Sequence, residues 1–205
     1  MVNKTPLPAV LSAGAHLSPE EGASLMEVVS VAPGQPWSDE PACTHPLVAH
    51  LARLVNDTLS DSARRDLLPL VPLLSVASNE DPRTYAQVAH TCTGYALARA
   101  VKPPFLLAHL HRVAEAQLAD TNRRAIADGR SPGRRAGMPA ALFRRGPAYR
   151  GLESSVLACT RLPADDRDVV LLELLRRALV EVTPGAGVGG TREWSGGHDS
   201  VSAVT

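Results

Sequence analysis

The side chains with the greatest chemical reach gather near the start of the chain. His16, Glu20, Glu21, Glu27, Asp39, Glu40, Cys43 and His45 all fall between positions 16 and 45. A thiolate, imidazoles and carboxylates are the groups that a zinc ion or a general acid–base reaction recruits. On that reading Glu27 or His16 acts as a base and Asp39 orients it. Cys43, with His45, then supplies a thiolate or holds a metal. The spacing matches no zinc signature, in which about two to four residues separate paired ligands. A plainer reading stands beside the chemical one. Asp39 caps a turn, Cys43 packs as a small hydrophobe, and His45 caps the helix that follows. Glu27 lies opposite Leu25 and Val29 on a helical wheel, so a lone helix exposes it to water. It joins a site only if the loop after it folds back over that face.

Other candidate pairs are local. Arg53 and Asp57 are spaced for an i,i+4 ion pair, as are His111 and Glu115. His109 and His111 fall on different sides of one helix and make a poor metal pair. Cys92 sits in an apolar stripe and reads as core. There is no glycine-rich phosphate loop, no Gly-x-Ser-x-Gly elbow, no His-Glu-x-x-His and no kinase signature. The residues leave the cofactor open.

Charge is distributed unevenly. The chain carries 21 basic and 21 acidic residues and sums to zero. From Asn122 to Arg150 stand Arg123, Arg124, Arg130, Arg134, Arg135, Arg144, Arg145 and Arg150, against the single acid Asp128. That segment is therefore +7 and the remainder −7. Clustered guanidinium groups suit an anionic macromolecular partner, a nucleic acid or a protein. They suit equally the acidic N-terminal half of this chain or of a second copy. Only Phe143 and Tyr149 interleave, so stacking on single-stranded bases has little support.

These groups must be positioned by helices. Aromatics make up 3% of the chain, which leaves Leu, Val and Ala to build the core. Ser18-Pro19-Glu20-Glu21 reads as a capping box that opens a first helix through Leu25, Met26 and Val29. Val31 to Pro46 is a long proline-rich loop of the kind that often carries function. A second helix spans about 45–59. A third follows Asp61 and is kinked or ended by Pro69 and Pro72. Asp81-Pro82 opens a fourth, to about Val101. A long helix covers about 105–128, a Gly/Arg/Pro linker 129–137, a short helix 151–160, and a last helix starts at Asp165-Asp166. The last one is apolar over most of its circumference and is placed in the centre.

The expected fold is therefore all-α, an irregular bundle of about six or seven helices. It comprises a flexible arm over 1–15, a helical domain over 16–182 and a disordered glycine-rich tail over 183–205. Three scattered cysteines, no apolar leader and no run of about 20 apolar residues give the expectation of a cytoplasmic protein with no membrane span.

Gly14-Ala15-His16, Ser18-Pro19-Glu20-Glu21-Gly22, Met26-Glu27-Val28, Trp37-Ser38-Asp39, Pro41, Cys43, Pro46 and Asn56-Asp57 together resemble a family of uncharacterised proteins of high-GC actinobacteria and their phages. The likeness extends into Leu68-Pro69-Leu70-Val71-Pro72 and ends before the arginine segment. The resemblance implies no activity. It implies that His16, Glu21, Glu27, Asp39 and Cys43 are the positions to examine. The chain departs from the pattern at Glu40, where a histidine is common. Two functions follow from these residues. One is a helical binding or accessory protein that engages an anionic partner through Arg123, Arg124, Arg134, Arg135, Arg144 and Arg145. The other is a small enzyme with its site between the first helix and the proline-rich loop.

Overall fold

The computed structural model describes residues 10–78, 81–126 and 138–183. Its elements are α1 (Leu25–Val31), α2 (Pro46–Thr58), a 3-10 helix (Ala63–Leu70), α3 (Val71–Leu74), α4 (Pro82–Arg99), α5 (Phe105–Ile126), α6 (Ala140–Arg145), α7 (Pro147–Cys159) and α8 (Ala164–Val182). No strand occurs among the described residues, and the fold is an all-α bundle. No described helix is long and apolar enough to cross a membrane.

The helices begin where side chains can satisfy the first unpaired amides. Asp81 accepts from the Arg83 amide at 2.8 Å, and Pro82 occupies the first turn of α4. At α2 the cap is His45, whose Nδ1 accepts from the Leu47 amide at 3.3 Å, with Pro46 next. Pro69 removes an amide inside the following element, and the chain there takes the tighter 3-10 form before the single turn of α3.

The bundle centres on α4, which lies against α5, α7 and α8. Ala86, Ala89, Cys92 and Ala96 of α4 are buried, and small side chains there let neighbouring helices approach closely. Gly151 of α7 marks one such approach, since a Cβ at that position would stand 3.2 Å from Thr93 Cγ2. Leu171, Leu174, Leu175 and Ala178 of α8, Leu152 of α7, Leu107 of α5 and Phe143 of α6 complete the interior. Contrary to the expectation that the last helix lies in the centre, α8 leaves Val169 and Val180 exposed on its outer side. The α2–α8 contact is fixed by polar groups at the end of α2. Ser60 donates to Asp168 through its hydroxyl, and buried Arg64 donates to the Asn56 and Leu59 carbonyls at 2.9 and 3.0 Å.

The first helix does not start at Ser18. Residues 18–21 form a turn in which the Glu21 amide donates to the Ser18 carbonyl at 3.1 Å, and Glu21 accepts from the Leu17 amide at 3.2 Å. Gly22 then takes φ +135°, outside the reach of a continuing helix. A second box, Ser24 with Glu27, caps α1 instead. The segment placed in a flexible arm up to residue 15 is seated at its end. Leu11 is 2% exposed, and the Ser12 amide donates to the Ala23 carbonyl at 2.8 Å. In the C-terminal half, α6 was not anticipated, and α7 begins at Pro147 rather than Gly151. The rest of the arm (1–9), the 129–137 linker and the tail beyond Thr183 lie outside the described residues.

Candidate functional site

Glu27 is the hinge of the N-terminal site. It is the N3 residue of the α1 capping box, so its carboxylate turns back toward the helix start instead of out to water. It is 1% exposed. Oε2 accepts from the Ser24 amide at 2.7 Å and from His16 Nδ1 at 3.0 Å, while Oε1 accepts from the His16 amide. The exposure expected from the helical wheel fails because the segment preceding α1 folds over that face. A carboxylate with three N–H donors is an acceptor, which places the imidazole proton of His16 on Nδ1. In the neutral ring His16 Nε2 then accepts, and the Ser12 hydroxyl, 3.0 Å from it and 3.4 Å from the Ala23 carbonyl, has it as the nearer acceptor. The result is a continuous hydroxyl–imidazole–carboxylate relay, Ser12–His16–Glu27.

Neighbouring elements hold each member of this relay. Asn56 of α2 donates to the Ser12 carbonyl at 2.8 Å and accepts from the Leu25 amide at 3.3 Å, bridging the arm to the first turn of α1. Asp57 accepts from the Gly14 amide at 2.8 Å. From the proline-rich loop, Trp37 Nε1 donates to the His16 carbonyl at 2.9 Å. The Ala23 amide donates to Ser12 Oγ at 3.2 Å. Gly22 keeps the near side of the pair bare. A Cβ there would stand 2.6 Å from Ser12 Oγ and 2.9 Å from His16 Nε2.

Of the four residues expected in a catalytic site, then, two converge. Asp39 does not join His16 and Glu27; its carbonyl accepts from Arg53 Nη1 at 2.8 Å. The guanidinium also lies 3.2 Å from Glu40 Oε1. The expected Arg53–Asp57 pair does not form, because the folded loop and arm offer each residue another partner. Cys43 is half-buried, with Sγ 3.9 Å from Thr44 Oγ1, and packs at the edge of the core. Cys43 and His45 have no third His, Cys, Asp or Glu to complete a metal site among the described residues. His45 Nδ1 is committed to capping α2.

Sequence reasoning missed Ser12, which sits four residues before His16 in a segment taken for a loose arm. The signal that finds it is indirect. Glu27 must face back into its own helix start once Ser24 is the cap, and only the preceding segment can meet it there.

His45 heads a second group. It is 1% exposed and tilted against Tyr85 with ring centroids 4.4 Å apart. Burial pushes its pKa down to about 4. His50 meets Tyr149 edge-on at 5.0 Å and lies 3.3 Å from Glu153 Oε1, yet desolvation holds its pKa below the ordinary value. A third pair, His90 and His111, stacks at 4.8 Å beside Thr93.

Three of the five described arginines of the basic segment have partners within the chain, and Arg150 is exposed. Arg123 and Arg124 pair with Asp120 at 3.4 and 2.6 Å, and Arg144 lies over the Tyr85 ring at 5.5 Å. Arg145 is exposed. Arg134 and Arg135 lie outside the described residues. Compared with protein-family models, with curated proteins and with solved structures, the chain matches none.

Proposed function

We propose that the chain is a small hydrolytic or acyl-transfer enzyme with Ser12 as nucleophile, His16 as general base and Glu27 as the group that orients His16. One observation carries this reading. The Ser12 hydroxyl sits 3.0 Å from His16 Nε2 while the opposite ring nitrogen sits 3.0 Å from a buried carboxylate. That order of groups activates a hydroxyl that is otherwise a weak nucleophile.

Ser12 Oγ attacks the carbonyl carbon of an ester, and its proton passes to His16 Nε2. Glu27 stabilises the imidazolium through Nδ1–H. The Ala23 amide hydrogen bond favours the charge that develops on Oγ before the new bond forms. Collapse of the tetrahedral intermediate breaks the bond to the leaving alcohol, which takes the proton from Nε2. Water then attacks the acyl-serine with His16 again as base, and a carboxylic acid leaves. Asp39 and Cys43 have no part in this scheme. Among its described residues the arginine segment offers no comparable observation for a binding module.

A fluorophosphonate probe tests the scheme without knowledge of the substrate. The expected result is one covalent adduct, mapped by mass spectrometry to Ser12, absent in Ser12→Ala. In His16→Gln it forms roughly 10²–10⁴-fold more slowly. No adduct at Ser12, or an undiminished rate in a folded His16→Gln protein, overturns the proposal.

A further inference from the structure

A cleft of about 390 Å³ opens between the proline-rich loop, α2 and α7, and none of Ser12, His16 and Glu27 lines it. Its lining includes His45, Arg53, Glu40 and Tyr149. His45 Nδ1 accepts from the Leu47 amide, so the neutral ring carries its proton on Nε2. That N–H belongs to a side chain 1% exposed, and it has no hydrogen-bond partner among the described residues. A buried donor left unmatched is costly, and an acceptor oxygen from a ligand would recover that cost.

The lining also sets the ligand's charge. Arg53 is the cation and Glu40 the anion, so the two cancel. Glu40 is 73% exposed and 3.2 Å away, a weak pair that a better-placed carboxylate can displace. The guanidinium fork matches a carboxylate's two oxygens. The cleft also lies at the positive end of α2, which favours one negative charge there. Pro41, Pro46, Ala49 and the Tyr149 ring supply apolar walls. The volume falls within the ordinary range for small-molecule sites.

We propose that this cleft binds a small monocarboxylate, the carboxylate accepting from His45 Nε2–H and Arg53 and the apolar body lying among Pro41, Pro46, Ala49 and Tyr149. A doubly charged phosphate fits less well, because the lining carries no net positive charge to offset the second charge. With its pKa near 4, His45 stays neutral and donates through Nε2 at neutral pH. The proposal does not depend on the Ser12 relay.

The test is a titration of isotope-labelled protein with millimolar benzoate, read on the His45 ring resonances by NMR. The expected result is a saturable shift at His45 and a rise in its pKa, since a bound anion favours the charged ring. Benzamide binds more weakly. His45→Asn keeps a capping oxygen and removes the Nε2 donor; it and Arg53→Gln each weaken binding by at least about tenfold, a loss of roughly 1.4 kcal/mol. Absence of a His45 response in the wild-type chain overturns the proposal whether or not the variants fold. An equal response to inorganic phosphate also overturns it.

Discussion

His45 ties the stability of the folded chain to pH. Its ring is held near pKa 4 in the fold by burial, against an ordinary value of 6.5. Between those values the unfolded chain binds a proton that the folded chain refuses, so stability rises with pH across that window. The contribution is complete above 6.5 and is lost as pH falls toward 4. It amounts to about 3 kcal/mol. His50 and His111 shift in the same direction, so the useful quantity is a difference. Urea unfolding from pH 4 to 7 is expected to show a slope in the wild-type chain that is shallower by that amount in His45→Asn. Parallel curves would mean that His45 is solvated. At this scale the sequence was only partly legible. That His45 caps α2 could be read from its place before Pro46. That its ring would pack against Tyr85 could not, because α4 brings Tyr85 there from forty residues downstream.

Among the elements, α1 shows how a correct motif can be read in the wrong place. Ser18-Pro19-Glu20-Glu21 and Ser24-Leu25-Met26-Glu27 both carry the Ser-x-x-Glu spacing, and the first also has the favourable proline. Gly22 decides between them, because its positive φ ends any helix begun at Ser18. The apolar run that pays for burial also follows only the second box. A seven-residue helix is too short to persist alone, so α1 depends on its cap and on its buried face. Ser24→Ala is expected to cost about 1 kcal/mol in denaturant unfolding, and Ser24→Asn to recover most of it. An unchanged midpoint in Ser24→Ala would show that Glu27 holds the helix start without Ser24. The longer helices were legible because their apolar period is strong. The six residues of α6 were not, since they sit among arginines and prolines with one buried aromatic, Phe143.

Across the whole molecule, burial sorts the three cysteines. Cys92 and Cys159 lie inside the α4–α7–α8 core at 0% and 2% exposure, and burial raises both thiol pKa values, that of Cys159 to about 11. Cys43 lies outside this core in the proline-rich loop and is partly exposed. Iodoacetamide at pH 8 is expected to alkylate Cys43 first, with Cys92 and Cys159 reacting only as fast as the bundle opens. Comparable rates at all three by peptide mapping would mean the core breathes locally. The all-α class was readable from composition and period. The packing order was not, since neither shows that small side chains make α4 the centre.

The bond from Trp37 to the His16 carbonyl gives the chain an optical gauge. Its indole joins the proline-rich loop to the segment that carries Ser12 and His16. Whatever lifts that segment away exchanges a peptide oxygen for water at the indole nitrogen, and the emission of Trp37, one of the chain's two tryptophans, reddens as that ring is hydrated.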